Sequence, residues 1–96
     1  MPPGATEESM PRYLTFHTLA CLTRQGAAQL VERFQQAPEV RAVRVQVNLQ
    51  DGKMLVEWEA PDREPLERWL DGERMHRDWL MRVELEARDG LLEPAV

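Results

Sequence analysis

Val-Arg-Val-Gln-Val-Asn-Leu-Gln-Asp-Gly-Lys-Met-Leu-Val-Glu-Trp-Glu-Ala, residues 43–60, is the stretch whose reading decides the fold. Val43, Val45, Val47 and Leu49 alternate with Arg44, Gln46 and Asn48, and Met54, Val56, Trp58 and Ala60 alternate with Leu55, Glu57 and Glu59. A period of two is the mark of a strand with one face buried. Gln50-Asp51-Gly52 between the two runs supplies tight-turn residues, so the stretch reads as a β-hairpin.

Working outward toward the N-terminus, residues 13–19 (Tyr-Leu-Thr-Phe-His-Thr-Leu) are β-favouring and give strand one. Thr23 then reads as a helix N-cap, and Ala27, Leu30, Val31, Phe34 and Ala37 recur at helical spacing until Pro38 stops the run. On the other side of the hairpin, Pro61-Asp62 caps a second helix, in which Pro65 is tolerated because first-turn N–H groups have no intrahelical partner. Leu66, Trp69 and Leu70 form its apolar side and Gly72 loosens its end. Trp79, Met81, Val83 and Leu85, alternating with Leu80, Arg82, Glu84 and Glu86, make a fourth strand that closes the domain.

The order is β-α-β-β-α-β. It predicts an α+β, ferredoxin-like domain, with a four-stranded antiparallel sheet and both helices on one face. Residues 11–88 are assigned to this domain, 1–10 to a disordered leader and 89–96 to a C-terminal tail. The alternation places Leu14, Phe16, Val43, Val45, Val47, Val56, Trp58, Met81 and Val83 toward the helices. It places Thr15, His17, Arg44, Gln46, Glu57, Glu59, Arg82 and Glu84 on the opposite face, interspersed with Tyr13, Leu19, Leu55 and Leu80. A mixed face of this kind suits packing against a second copy, so a homodimer is expected.

Composition narrows the function. At 96 residues and 43% hydrophobic, the chain suffices for one core. Its net charge of −5, from 17 acidic against 12 basic residues without a basic block, argues against nucleic acid. No apolar run approaches the length of a membrane span, and the expected location is the cytoplasm. Cys21 is the single cysteine, so no internal disulfide is available. Spacings that encode a phosphate loop, a nucleophile elbow, a paired-cysteine site or a zincin are absent.

What remains is a set of residues brought together by pleating. His17 beside Glu57 on the central strands offers an acid/base pair. With His76 from the turn before strand four, the same residues offer three ligands for a divalent metal, nickel or zinc. The alternative for His17 is a hydrogen-bonded structural histidine, and for His76 a solvated loop residue. Glu57 and Glu59 share a strand face, where two carboxylates need a compensating cation, supplied by Arg44, Arg82 or a metal. Arg44 and Arg82 are also candidate ligand contacts. Trp58 and Trp69 either line a pocket for a small hydrophobic ligand or simply fill the core.

Residues 11–86 resemble the small bacterial dimeric α+β-barrel proteins, near an uncharacterised and nickel-responsive group. The matching residues are Met10-Pro11-Arg12-Tyr13 at the opening and Glu59-Ala60-Pro61-Asp62 leading into the second helix. The resemblance implies a dimer with facing sheets. In some members it implies nickel at histidine-containing sites, and in others cofactor-independent monooxygenase, isomerase or haem-degrading activity. Three expectations follow: a dimeric protein binding a small ligand or divalent metal near the sheet interface, an enzyme acting on a hydrophobic metabolite, or a protein–protein interaction module.

Overall fold

A computed structural model describes residues 10–95, so the leader assigned to 1–10 lies, except for Met10, outside the described residues. Strand β1 (Arg12–Thr18) leads to helix α1 (Arg24–Phe34). Strands β2 (Arg41–Asn48) and β3 (Lys53–Glu59) follow, then helix α2 (Arg63–Gly72) and strand β4 (Trp79–Val83). Two short strands complete the chain, β5 (Leu85–Arg88) and β6 (Leu91–Pro94). The first four strands form an antiparallel sheet in the order β2-β3-β1-β4, and β5 pairs with β6 in a separate two-stranded sheet.

This corrects the expected fold class. The order β-α-β-β-α-β-β-β is not a simple ferredoxin-like βαββαβ, because the chain does not end with the fourth strand. Residues 79–86 read as one strand, but pairing to β1 stops at Val83, and Leu85 begins a new ribbon. Leu91–Pro94, within the segment 89–96 read as a tail, forms the returning strand of that ribbon. The overlooked signal is Asp89-Gly90. Both residues have positive φ (54° and 80°), as the two central positions of a type I′ hairpin turn require, and Asp-Gly favours that turn.

Both helices start where their caps were read. The Thr23 hydroxyl accepts from the Gly26 N–H at 3.0 Å, and the Asp62 carboxylate accepts from the Arg63 N–H at 2.8 Å. Helix α2 ends in a left-handed residue, Arg74 (φ 56°): its N–H donates to Asp71, and that of Met75 to Leu70. These two bonds are a Schellman stop, and buried Met75 and Leu70 supply its apolar contact. The hairpin between β2 and β3 turns at Gly52 (φ 66°), where an added Cβ would lie 2.6 Å from the Leu19 carbonyl oxygen. Only glycine fits that close approach.

The faces of two strands are reversed from expectation. Tyr13, Thr15 and His17 of β1 are buried with Met54, Val56 and Trp58 of β3 beneath Phe34, Leu66 and Leu70 of the helices. Leu14 and Phe16 therefore lie on the open face, together with Trp79, Met81 and Val83 of β4, their register partners or neighbours. Leu80 and Arg82 oppose Thr15 and Tyr13, on the helix side. The register shifts between Ala42 and Arg44, so Val43 falls at an irregularity and is exposed. Neither face of β1 is plainly polar, and the inward placement of Thr15 and His17 depends on hydrogen bonds that alternation does not reveal.

Candidate functional site

Cross-strand register lays out the open face in rows, read from β2 to β4. Residues directly opposite in an antiparallel sheet share a face. One row is Arg41, Glu59, Arg12 and Val83; the next is Arg44, Glu57, Leu14 and Met81; the third is Gln46, Leu55, Phe16 and Trp79. The face thus divides into a charged corner on β2 and β3 and an apolar corner on β1 and β4. Phe16 and Trp79 stack with ring centroids 5.5 Å apart and planes within 8°. Trp79 is 43% exposed and Met81 48%, although both belong to the most apolar run of β4. Beside them a hollow of about 240 Å³ is lined by Phe16, Gln46, Asn48 and Leu55, among others.

At the charged corner, the Arg12 guanidinium donates to Glu57 at 2.8 Å, to Glu86 on β5, and to the Ala95 carbonyl. The bonds from Arg12 hold the Glu86 carboxyl below its usual range. Arg41 pairs with Glu59 at 3.1 Å. The cations compensating the two glutamates are therefore Arg12 and Arg41. Arg44 is exposed on the open face and Arg82 on the helix side of edge strand β4, and neither forms an ion pair among the described residues.

His17 and Glu57 are not brought together. The His17 side chain is fully buried on the helix face, while Glu57 stands on the other face opposite Leu14. His17 belongs to a chain of hydrogen bonds through the core. The His76 carbonyl lies 2.8 Å from its Nδ1 and can only accept, so Nδ1 carries the proton and Nε2 is bare. The Thr15 hydroxyl, 2.8 Å from Nε2, donates to it and accepts from the Trp58 indole N–H at 2.8 Å. Every donor in this relay is used once. The His76 side chain points away into an exposed turn, where its Nε2 is 3.2 Å from Asp78. Among the described residues no three His, Cys, Asp or Glu side chains converge as a metal site, so the His17–Glu57–His76 set for nickel or zinc is not assembled.

Burial lowers the His17 pKa below 6.5, against the opposing pull of the His76 carbonyl and Asp78. A depressed base stabilises the fold in full above pH 6.5, and that stability is lost as the pH falls through the window below it. We expect stability to fall by up to ~1.4 kcal/mol per pH unit there, the slope for uptake of one proton. His17→Asn, less stable at neutral pH, should be flat across the same window in urea titrations, and an unchanged slope would reject the assignment.

Trp58 and Trp69 pack against each other. With Phe34 they form a cluster whose ring centroids lie 5.2 to 6.0 Å apart. A larger groove, about 590 Å³, runs along α2 and the turn before β4, lined by Arg63, Glu67, Asp71, Arg77 and Asp78 among others. Its charges are largely matched internally, with Arg77 2.8 Å from Asp71 and Arg63 3.2 Å from Glu67. Cys21 is exposed, with no disulfide. No helix among the described residues is long and apolar enough to cross a membrane.

The apolar corner of the open face is the feature that sequence reasoning missed. Its signal lies in Trp79, Met81 and Val83, the more apolar set of β4, which alternation alone assigns to the core. The chain matches no family model, and the comparisons with curated proteins and solved structures found no match.

Proposed function

We propose that the chain is a small homodimeric binding protein, in which the open faces of two copies meet and hold an apolar or aromatic small molecule between them. The observation that carries this reading is the apolar corner on a single sheet face, where Trp79 and Met81 are exposed beside half-buried Leu14, Phe16 and Leu55. Clustered apolar side chains left in water mark a surface that is covered in use. Arg41, Arg44, Glu57 and Glu59 border that corner on its β3 side, so the face joins an apolar patch to a charged one, the mixture found in protein interfaces. Four strands ~4.8 Å apart and about seven residues long give a footprint of roughly 19 by 23 Å.

The hollow at Phe16 and Leu55 also suits a second copy. Its volume of about 240 Å³ is below the ~300 to 1,000 Å³ usual for small-molecule sites. Two facing hollows fall within that range. Gln46 and Asn48 at the wall offer hydrogen bonds to orient a guest. A lone exposed Cys21 suits a reducing cytoplasm. The enzymatic alternative has less support, since His17 is occupied in the core and Glu57 is paired with Arg12.

Sedimentation equilibrium across 1 to 100 µM, on the order of typical weak-to-moderate affinities, tests the dimer. Trp79→Glu should weaken it at least ~100-fold, or about 2.7 kcal/mol, by placing a charge in the apolar corner. Under dilute monomeric conditions its stability should fall by only about 0.5 to 1.5 kcal/mol, the loss of the intrachain Phe16 stacking. A parent that stays monomeric throughout would sink the proposal. Native mass spectrometry of the dimer as purified reads any retained molecule directly.

A further inference from the structure

The hollow on the open face has a single charged residue at its wall, Lys53. It lies on the β3 side of Phe16, whose ring stacks on Trp79 of β4. Register carries the face on into a fourth row of Asn48, Lys53 and Thr18. Lys53 is half-buried there, and its Nζ donates to the Thr18 hydroxyl at 3.0 Å. An ammonium has three protons to give, so two are left without a partner among the described residues. Asp78 stands beyond Thr18, from which it accepts, and pairs with the His76 ring at 3.2 Å rather than with Lys53. Asn48 is fixed in the same sense: its amide oxygen accepts from the Asp51 N–H at 2.9 Å, so the free end is the nitrogen, a donor. No carboxylate lines the hollow, in a chain whose acidic residues outnumber its basic ones 17 to 12.

We infer that the guest of this hollow is an apolar or aromatic carboxylic acid, with its body against Phe16 and Leu55 and its carboxylate held by the Lys53 ammonium and the Asn48 amide. This rests on the binding-protein reading above and names the class of molecule bound. Three arguments favour an acid over a neutral guest or an amine. The polar groups whose orientation is fixed at the wall have donors to spare, and a carboxylate only accepts. A bond from an ammonium to a carboxylate is roughly twice as strong as one between neutral groups. Closing the open face under a second copy withdraws water from Lys53, and a cation so placed needs an anion beside it. An amine would meet like charge at the same wall.

The test titrates two probes, 2-naphthoate and its neutral counterpart 2-naphthamide, calorimetrically into the full chain at a concentration where sedimentation finds the dimer. Naphthoate should bind the parent at least ~10-fold more tightly than the amide. Lys53→Gln, which keeps a donor but no charge, should abolish that preference, and Lys53→Arg should retain it. The amide, held through its rings, should bind all three chains alike, which controls for folding of the variants. Equal affinities of the parent for acid and amide, or a naphthoate affinity unchanged in Lys53→Gln, would overturn the acid assignment while leaving the dimer standing. A dimer that takes up neither probe would overturn it too. A parent that is monomeric at every concentration yet binds naphthoate through Lys53 would uphold the acid site and sink the dimer alone.

Discussion

Trp58→Ala is expected to destabilise the fold by about 3 to 5 kcal/mol, the range for deleting a large buried aromatic side chain. Trp58 is fully buried and packs edge-on against Phe34, with centroids 5.2 Å apart, and beside Trp69 at 5.7 Å. The cavity left between β3 and the two helices has rigid walls: Leu66 and Leu70 on α2 and Val56 on the strand are also fully buried. Collapse into it requires a helix to move. Trp58→Phe separates the contributions, because it keeps most of the packing but removes the indole donor to Thr15. Urea titration of both variants, with the midpoint and slope read together, checks this. A loss below about 1.5 kcal/mol for Trp58→Ala would mean that the cluster is not the core.

The second large effect is expected from a substitution that hardly changes shape. Thr15→Val replaces a hydroxyl by a methyl group and leaves two buried polar groups, the Trp58 N–H and the His17 Nε2, without partners. An orphaned buried group costs about 1 to 3 kcal/mol, so the pair should cost about 2 to 6. Thr15→Ser keeps the hydroxyl and loses one methyl group, for which ~1 kcal/mol is the usual scale. Thr15→Val against the parent measures the hydrogen bonds with packing nearly constant, and Thr15→Ser measures the methyl group with the hydrogen bonds kept. A Thr15→Val variant as stable as the parent would show that the relay contributes no net stability.

Much of the fold was legible because it rests on local chemistry. The hairpin over residues 43–60, Thr23 and Asp62 as N-caps, and the apolar stripe of α2 all follow from nearest neighbours in the chain. Strand facing was not legible. On β1 the choice between burying Leu14 and Phe16 or Tyr13, Thr15 and His17 is decided by partners 43 and 59 residues away, Trp58 and the His76 carbonyl. The same error hid the open apolar face, since β4 follows β1 in register. It also placed His17 beside Glu57, where pleating in fact puts a sheet between them. The C-terminal ribbon was recoverable from Asp89-Gly90, but continued alternation from Trp79 to Glu86 concealed the break.

The buried relay has a direction, from the Trp58 indole through Thr15 and His17 to the His76 carbonyl. A hydrogen-bond chain with one polarity admits one imidazole tautomer, which makes the interior its own spectroscopic reporter. The Trp58 indole proton and the His17 Nδ1 proton can exchange with solvent only when this core opens. At a pH high enough for exchange to follow every opening, their two nuclear magnetic resonance signals should therefore decay in deuterated water at the same rate, timed by a single event. Two separate rates would instead divide the domain into parts that open independently.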